Sequence, residues 1–243
     1  MAIRTSPGQF ATLPVTPLGL GHKRLNFSHF GDGAGVSSTL VLINPSPAQP
    51  ATGRVLFFDD MGAPLVVEIN DTSVSEGELT FDLKPLETVF LATRGQGTAL
   101  LTGAVEVESD TFIAGTVLFA GSFGVAGVGS VKPATRFLAP IQSDSSAGVS
   151  TGVALANPQG FSVTVTLRLL DTSGQPVPDG TTSVNLRGHG HLARFPEEIF
   201  KDCAIDFSSF RGTLEVESEV AISAMAIRTS PGEFATLPVA ADP

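Results

Sequence analysis

The chain contains neither tryptophan nor tyrosine, and all 17 of its aromatic residues are Phe. Sugar-binding faces and single-strand nucleic-acid platforms stack ligands on rings with an apolar face and a polar tip. Such stacking faces are therefore not expected, and the Phe residues are expected in the core. A single cysteine, Cys203, excludes an internal disulfide and a cysteine-based zinc site. No apolar run approaches the ~18 residues of a membrane-spanning helix, so no membrane span is expected. Bases are scarce: 14 Lys and Arg stand against 24 acids, for a formal charge of −10. A chain this acidic repels phosphate backbones, so no nucleic-acid partner is expected. The first residues show no charged segment leading into an apolar one, so no export signal is visible there. There is no G-x-S-x-G elbow and no glycine-rich phosphate loop ahead of a helix. No catalytic residue and no cofactor are expected, and the chain does not read as an enzyme.

What is present is repetition. "MAIRTSPGQFATLPV" at Met1 returns as "MAIRTSPGEFATLPV" at Met225, with only Gln9 and Glu233 differing. Weaker echoes recur at half that spacing. "GVSSTLVLINP" (Gly35–Pro45) parallels "GVSTGVALANP" (Gly148–Pro158), and "VLFFDDMGAPL" (Val55–Leu65) parallels "LRLLDTSGQPV" (Leu167–Val177). "GAVEVESD" (Gly103–Asp110) parallels "GTLEVESE" (Gly212–Glu219), and "IAGTVLF" from Ile113 parallels "ISAMAIR" from Ile222. Blocks that recur in one order at near-constant spacing predict two homologous domains in a 224-residue unit. Residues 225–239 read as the last strand and tail of the second domain. Residues 1–15 then duplicate that strand, and Met1 is expected to mark a cut inside a longer array.

Each repeat reads as strands. "STLVLINP" and "TGVALANP" are apolar runs stopped by Asn-Pro. "GRVLFFDD" and "VTVTLRLLD" break at "DDMGAP" and "DTSGQP", where Asp, Gly and Pro supply turn chemistry. "AVEVES" and "TLEVES" alternate with a period of two, as a half-buried antiparallel strand does. About seven short strands per repeat predict an all-β fold of two antiparallel, immunoglobulin-like β-sandwich domains in tandem. "FPEEIFKD" (Phe195–Asp202), with Pro196 in a first turn, predicts one short helix inserted in the second. The expected layout is residues 1–18 as a duplicated terminal strand, 24–128 as domain 1, 129–135 as linker and 136–240 as domain 2.

This pattern of paired "NP", "D.xG.P" and "VES" β-units resembles the tandem-repeat modules of bacterial secreted and cell-surface proteins. The resemblance implies an extracellular or cell-surface location and a structural role in a fibre or stalk, with adhesion as an alternative through loops such as Ser143–Val149 or Asp71–Glu78. It carries over no site residue, because these motifs are structural.

Few residues offer chemistry. Asp59, Asp60 and Asp171 sit at strand ends, where carboxylates could bind calcium; the neighbouring Gly62, Pro64, Gly174 and Pro176 favour turn capping instead. His189 and His191, two apart on an expected strand, could share a metal, but no third ligand is evident. The first repeat offers Glu87 and Val89 nearby, and the pair is expected on an exposed strand edge. His22 and His29 read as isolated loop residues.

The doubled strand remains. The second repeat has one slot for "AMAIRT", and the chain owns two segments that fit it. Two readings follow. In strand exchange, residues 1–15 of one molecule enter the second domain of a neighbour or pair on an exposed edge and build a head-to-tail fibre. In the other, residues 1–18 are a loose tail at a repeat boundary; the exchange is favoured slightly. The residues expected to carry it are Ala2, Ile3, Arg4, Thr5, Phe10, Leu13 and Val15, with Ala226, Ile227, Phe234 and Leu237 as their counterparts. The expected partners are copies of the chain or adjacent repeats, with a glycan or surface ligand as the other possibility.

Overall fold

The computed structural model describes residues 2–6, 9–13, 21–122, 124–237 and 239–241, the first two segments as backbone only. Nearly all regular structure is antiparallel strand, and the single helix among the described residues is α1 (Pro196–Ile199). Pro196 occupies its first turn and Glu198 reaches back to accept a hydrogen bond from Phe195 N at 2.8 Å.

The first half contains β3 (His22–Asp32), β4 (Ser37–Ile43), β5 (Ala51–Asp59), the β6–β7 hairpin (Val67–Ile69, Thr72–Val74), β8 (Glu78–Leu83), β9 (Thr88–Ala92), β10 (Leu101–Gly121) and β11 (Gly124–Gly129). The second contains β12 (Ala134–Asp144), β13 (Val149–Ala156), β14 (Val163–Leu170), β15 (Pro176–Leu186), β16 (His191–Arg194), β17 (Ser209–Ser230), β18 (Glu233–Leu237) and β19 (Ala240–Ala241). Ahead of both lies a hairpin of β1 (Ala2–Ser6) and β2 (Gln9–Leu13). Only Ser130–Pro133 joins β11 to β12, so the expected linker is shorter than read, its ends at 129 and 134–135 being strand.

The two halves pair their strands alike. The first part of β10 lies between β3 and β5, with β8 outside β5; its last part lies between β4 and β11, with β9 outside β4. β17 repeats this, with β12, β14 and β15 at one end and β13, β18 and β16 at the other. The blocks "VEVES" and "IAGTVLF", which look like separate strands in sequence, are one continuous 21-residue strand in β10. The strand changes neighbours after Ser109, where Asp110 accepts hydrogen bonds from Thr52 N (2.8 Å) and Thr52 Oγ1 (2.9 Å). A sheet that folds back on itself needs such a crease to keep its apolar face inward.

That inner face is set by alternation. Val105 and Val107 point inward and are buried, as are Leu214 and Val216 in the second half. They join Phe27, Phe57 and Phe119 in one cluster and Phe137, Leu167 and Phe200 in the other. Burial of each such side chain contributes about 1.5–3 kcal/mol. The intervening acids depart from the expected solvent face. Glu215 is buried, with Arg136 Nε at 2.9 Å and Nη2 at 2.5 Å from Oε1, and Arg168 Nη1 at 2.7 Å from Oε2. The first cluster also takes in Ala154 and Met225, so the halves share apolar packing.

Candidate functional site

The densest chemistry lies where the halves meet, and it begins in a turn. Asn157 ends β13, and its side-chain amide donates to the carbonyls of Phe161 (2.7 Å) and Arg187 (2.8 Å). This clamps the turn Arg187–His191, in which His189 holds a left-handed φ of 58°. His189 is therefore not on a strand and does not share a face with His191, contrary to the expected exposed edge. Its ring stacks on Phe58 of the first half at 4.4 Å between centroids, and its Nδ1 lies 3.0 Å from Glu106 Oε1. Burial pushes the Glu106 carboxyl up, with His189 opposing. Gly188 sits so close to Gly62 that a Cβ on Gly62 would lie 1.9 Å from Gly188 O.

His191 is only 3% exposed. Its backbone N–H donates to Asp60 O at 3.2 Å, and its Nδ1 lies 2.8 Å from Asp60 Oδ1. Its Nε2 lies 3.1 Å from His29 Nδ1, with the two rings stacked at 5.1 Å. Thr102 Oγ1 donates to Asp60 Oδ1 at 2.9 Å. One proton assignment satisfies the chain: His191 Nδ1–H donates to the Asp60 carboxylate, and its bare Nε2 accepts from His29 Nδ1–H. Burial alone would raise the Asp60 carboxyl, but the hydrogen bonds from His191 and Thr102 hold it below its ordinary value. Burial, reinforced by His191, lowers His29 to about 3, so its ring stays neutral at ordinary pH.

His29 is thus no isolated loop residue. It lies in β3, where the pairing with β10 slips: Val105 faces Phe27 and Gly103 faces Phe30, leaving Ser28 and His29 together opposite one residue. This β-bulge re-aims His29 out of the core and toward His191. In the second half, β12 runs through the same place without a slip, Pro140 facing Thr213.

The trio of Asp60, His191 and His29 joins surfaces; it has no reacting group. The Nε2 atom that a general base would use on a nucleophile is taken by His29. Among the described residues no group of three or more His, Cys, Asp or Glu is placed to hold a metal ion. Asp59 caps its own turn, accepting from Met61 N (2.9 Å) and Ala63 N (2.8 Å), and Asp171 does the same with Ser173 N and Gln175 N. Beside the trio runs a cleft of about 330 Å³, lined by His29, Val36, Leu100, Phe119, Val153, Phe195 and Phe234 among others.

The duplicated segments are placed as follows. Ala226 and Ile227 lie in β17, facing Val153 and Gly152 of β13 on one side and Leu237 and Thr236 of β18 on the other. The slot for "AMAIRT" is thus filled by the chain's own residues. Phe234, in β18, packs edge-on to Phe119 at 6.3 Å. β1 and β2 form a second hairpin in the same register: Ala2 faces Leu13, Ile3 faces Thr12, Arg4 faces Ala11 and Thr5 faces Phe10, as Ala226 faces Leu237 and Thr229 faces Phe234. Val15 lies outside the described residues. β11 lies against both β2 and β18, and Thr236 Oγ1 donates to Gly127 O at 2.8 Å across the latter contact.

Asp60 was legible in sequence only as a turn residue, and His29 carried no signal at all, because its partner is 162 positions away. Comparison of the chain with protein-family models, with curated proteins and with solved structures finds no match.

Proposed function

We propose that the chain is a structural module of an extracellular fibre, stalk or surface protein built from 224-residue repeats, each holding two homologous immunoglobulin-like sandwich domains. One observation carries this reading: residues 2–13 and 226–237 form the same hairpin in the same register, and both hairpins lie on β11. A surface that accepts two copies of one hairpin is what stacking of like units requires. The matched pairing around β10 and β17 supports the homology of the halves. The groups at the junction are spent on one another, as in a joint that carries load. On this reading units associate head to tail, and exchange of the residue 1–15 segment between molecules is the route by which separate chains do so.

Antibodies raised against the chain test the location and the role together. Immunogold labelling of intact source cells is expected to decorate extended material outside the envelope. Label confined to the cell interior rejects the reading.

A further inference from the structure

Each half carries one projecting turn and one receiving face, and only one pair is engaged. The projecting turn of the second half is Arg187–His191. Its counterpart in the first half is Lys84–Thr88, not the residues around Val89, because β9 starts one residue earlier relative to the repeat: Ile43 faces Thr88 as Ala156 faces His191. The two turns are built alike. Asn44 Nδ2 donates to Lys84 O at 3.1 Å as Asn157 Nδ2 does to Arg187 O, and Leu86 holds φ 62° where His189 holds 58°. His189 is docked on Phe58; Leu86 is 63% exposed.

The receiving faces match as well. Gly62 and Gly174 close the same Asp-capped turn with φ of 81° and 77°. Gly188 covers Gly62, whereas a Cβ on Gly174 would meet nothing within 4 Å. In the open face, Leu170, Thr172 and Arg211 stand where the engaged face has Phe58, Asp60 and Thr102.

The changes are paired. Where the engaged joint sets His189 on Phe58 beside Glu106, the open one offers Leu86 for Leu170 beside Glu215, whose charge Arg136 and Arg168 already neutralise. Where His191 meets Asp60, Thr88 would meet Thr172. Gly190 lies beside Asp60; its counterpart Glu87 would lie beside Thr172, one strand from Arg211, so opposite charges approach. Both sides of the joint have changed together: the His189–Glu106 and His191–Asp60 pairs of the engaged joint have their counterparts in Leu86 with Leu170 and Thr88 with Thr172.

We infer that the face carrying Leu170, Thr172 and Gly174 docks a second copy of this chain, which inserts its Lys84–Thr88 turn, while the first copy's 226–237 hairpin replaces the second copy's own 2–13 hairpin against β11. This rests on the repeat-array reading and names its joint. The hairpin replaced and the hairpin replacing it have nearly one sequence, so exchange sacrifices no contact type. Residues 2–13 hold the place against β11 that a neighbour's 226–237 hairpin would take.

Sedimentation of the full chain across a concentration series tests this. Ile3→Pro fixes φ at about −65° in the middle of β1, away from the extended values of the strand, and weakens the β1–β2 hairpin. It is expected to associate at least about tenfold more tightly than the parent chain. Adding Leu86→Lys to Ile3→Pro, or Thr172→Arg from the other side of the joint, is expected to abolish that gain. Ile3→Pro chains that stay monomeric overturn the inference, and so does association unchanged by both joint substitutions. Either result leaves the surface labelling untouched, so failure of this joint is distinguishable from failure of the array reading.

Discussion

Replacing His29 by Gln keeps a side-chain donor toward His191 but removes the titrating ring. In the folded chain His29 titrates at about 3, against 6.5 when free. A group whose folded value is depressed is protonated more readily in the unfolded chain. Its contribution is therefore whole above the unfolded value and is lost as pH falls from about 6.5 toward 3. By about pH 5 the loss from this ring alone amounts to about 2 kcal/mol. The other polar and charged groups on the same space are the His191 ring and Arg194 on β16, Asp60 after β5 and Glu198 on α1. Asp60 is held below its ordinary carboxylate value, so its contribution persists at pH 5 and fades only at lower pH. Urea unfolding at a series of pH values reads the effect as a shift in midpoint at constant slope. Between pH ~7.5 and ~5 the parent chain is expected to lose about 2 kcal/mol more than His29→Gln. Parallel profiles for the two chains refute the neutral His29 ring and the bulge that delivers it.

Other substitutions probe the joint and the repeat. Gly62→Ala and Gly174→Ala place the same side chain in the same left-handed turn, at about 1 kcal/mol each. Only Gly62→Ala also strikes Gly188 O, so thermal unfolding is expected to find it about 2 kcal/mol worse, and equal losses would deny the close approach. Glu215→Gln is expected to cost about 2 kcal/mol in chemical unfolding, reduced from a fully buried pair because Arg136 and Arg168 are partly exposed. The hydrogen bond from Arg136 holds Glu215 below its ordinary value, so its stabilisation is present above pH ~4.5 and lost below it. In Glu215→Gln that acid-side loss is expected to shrink, and an unchanged acid limb would show that the pair contributes nothing.

The local pattern determined the strand class of this chain. Val105 and Val107 alternate with Glu106 and Glu108, and a period of two is written residue by residue in any sequence whose sheet has one buried face. Asp59, Asp171 and the glycines after them marked two turns, because a side chain that bonds its own backbone needs no distant partner. Pro196 marked the start of α1 for the same reason. The duplicated 15-residue segment was plain on inspection, and its two copies pair their strands in the same register, as near-identical sequences do. What only the tertiary structure decided is everything that depends on which distant segments meet. The crease that makes one strand of "VEVES" and "IAGTVLF" arises from changing neighbours, not from any break in the residues themselves. The bulge at Ser28 and His29 exists only relative to the strand it slips against. His191, read as an edge residue, is buried because Asp60 and His29 arrive from the other half of the chain, and a hydrogen bond formed across 131 or 162 residues leaves no trace in the sequence around either end.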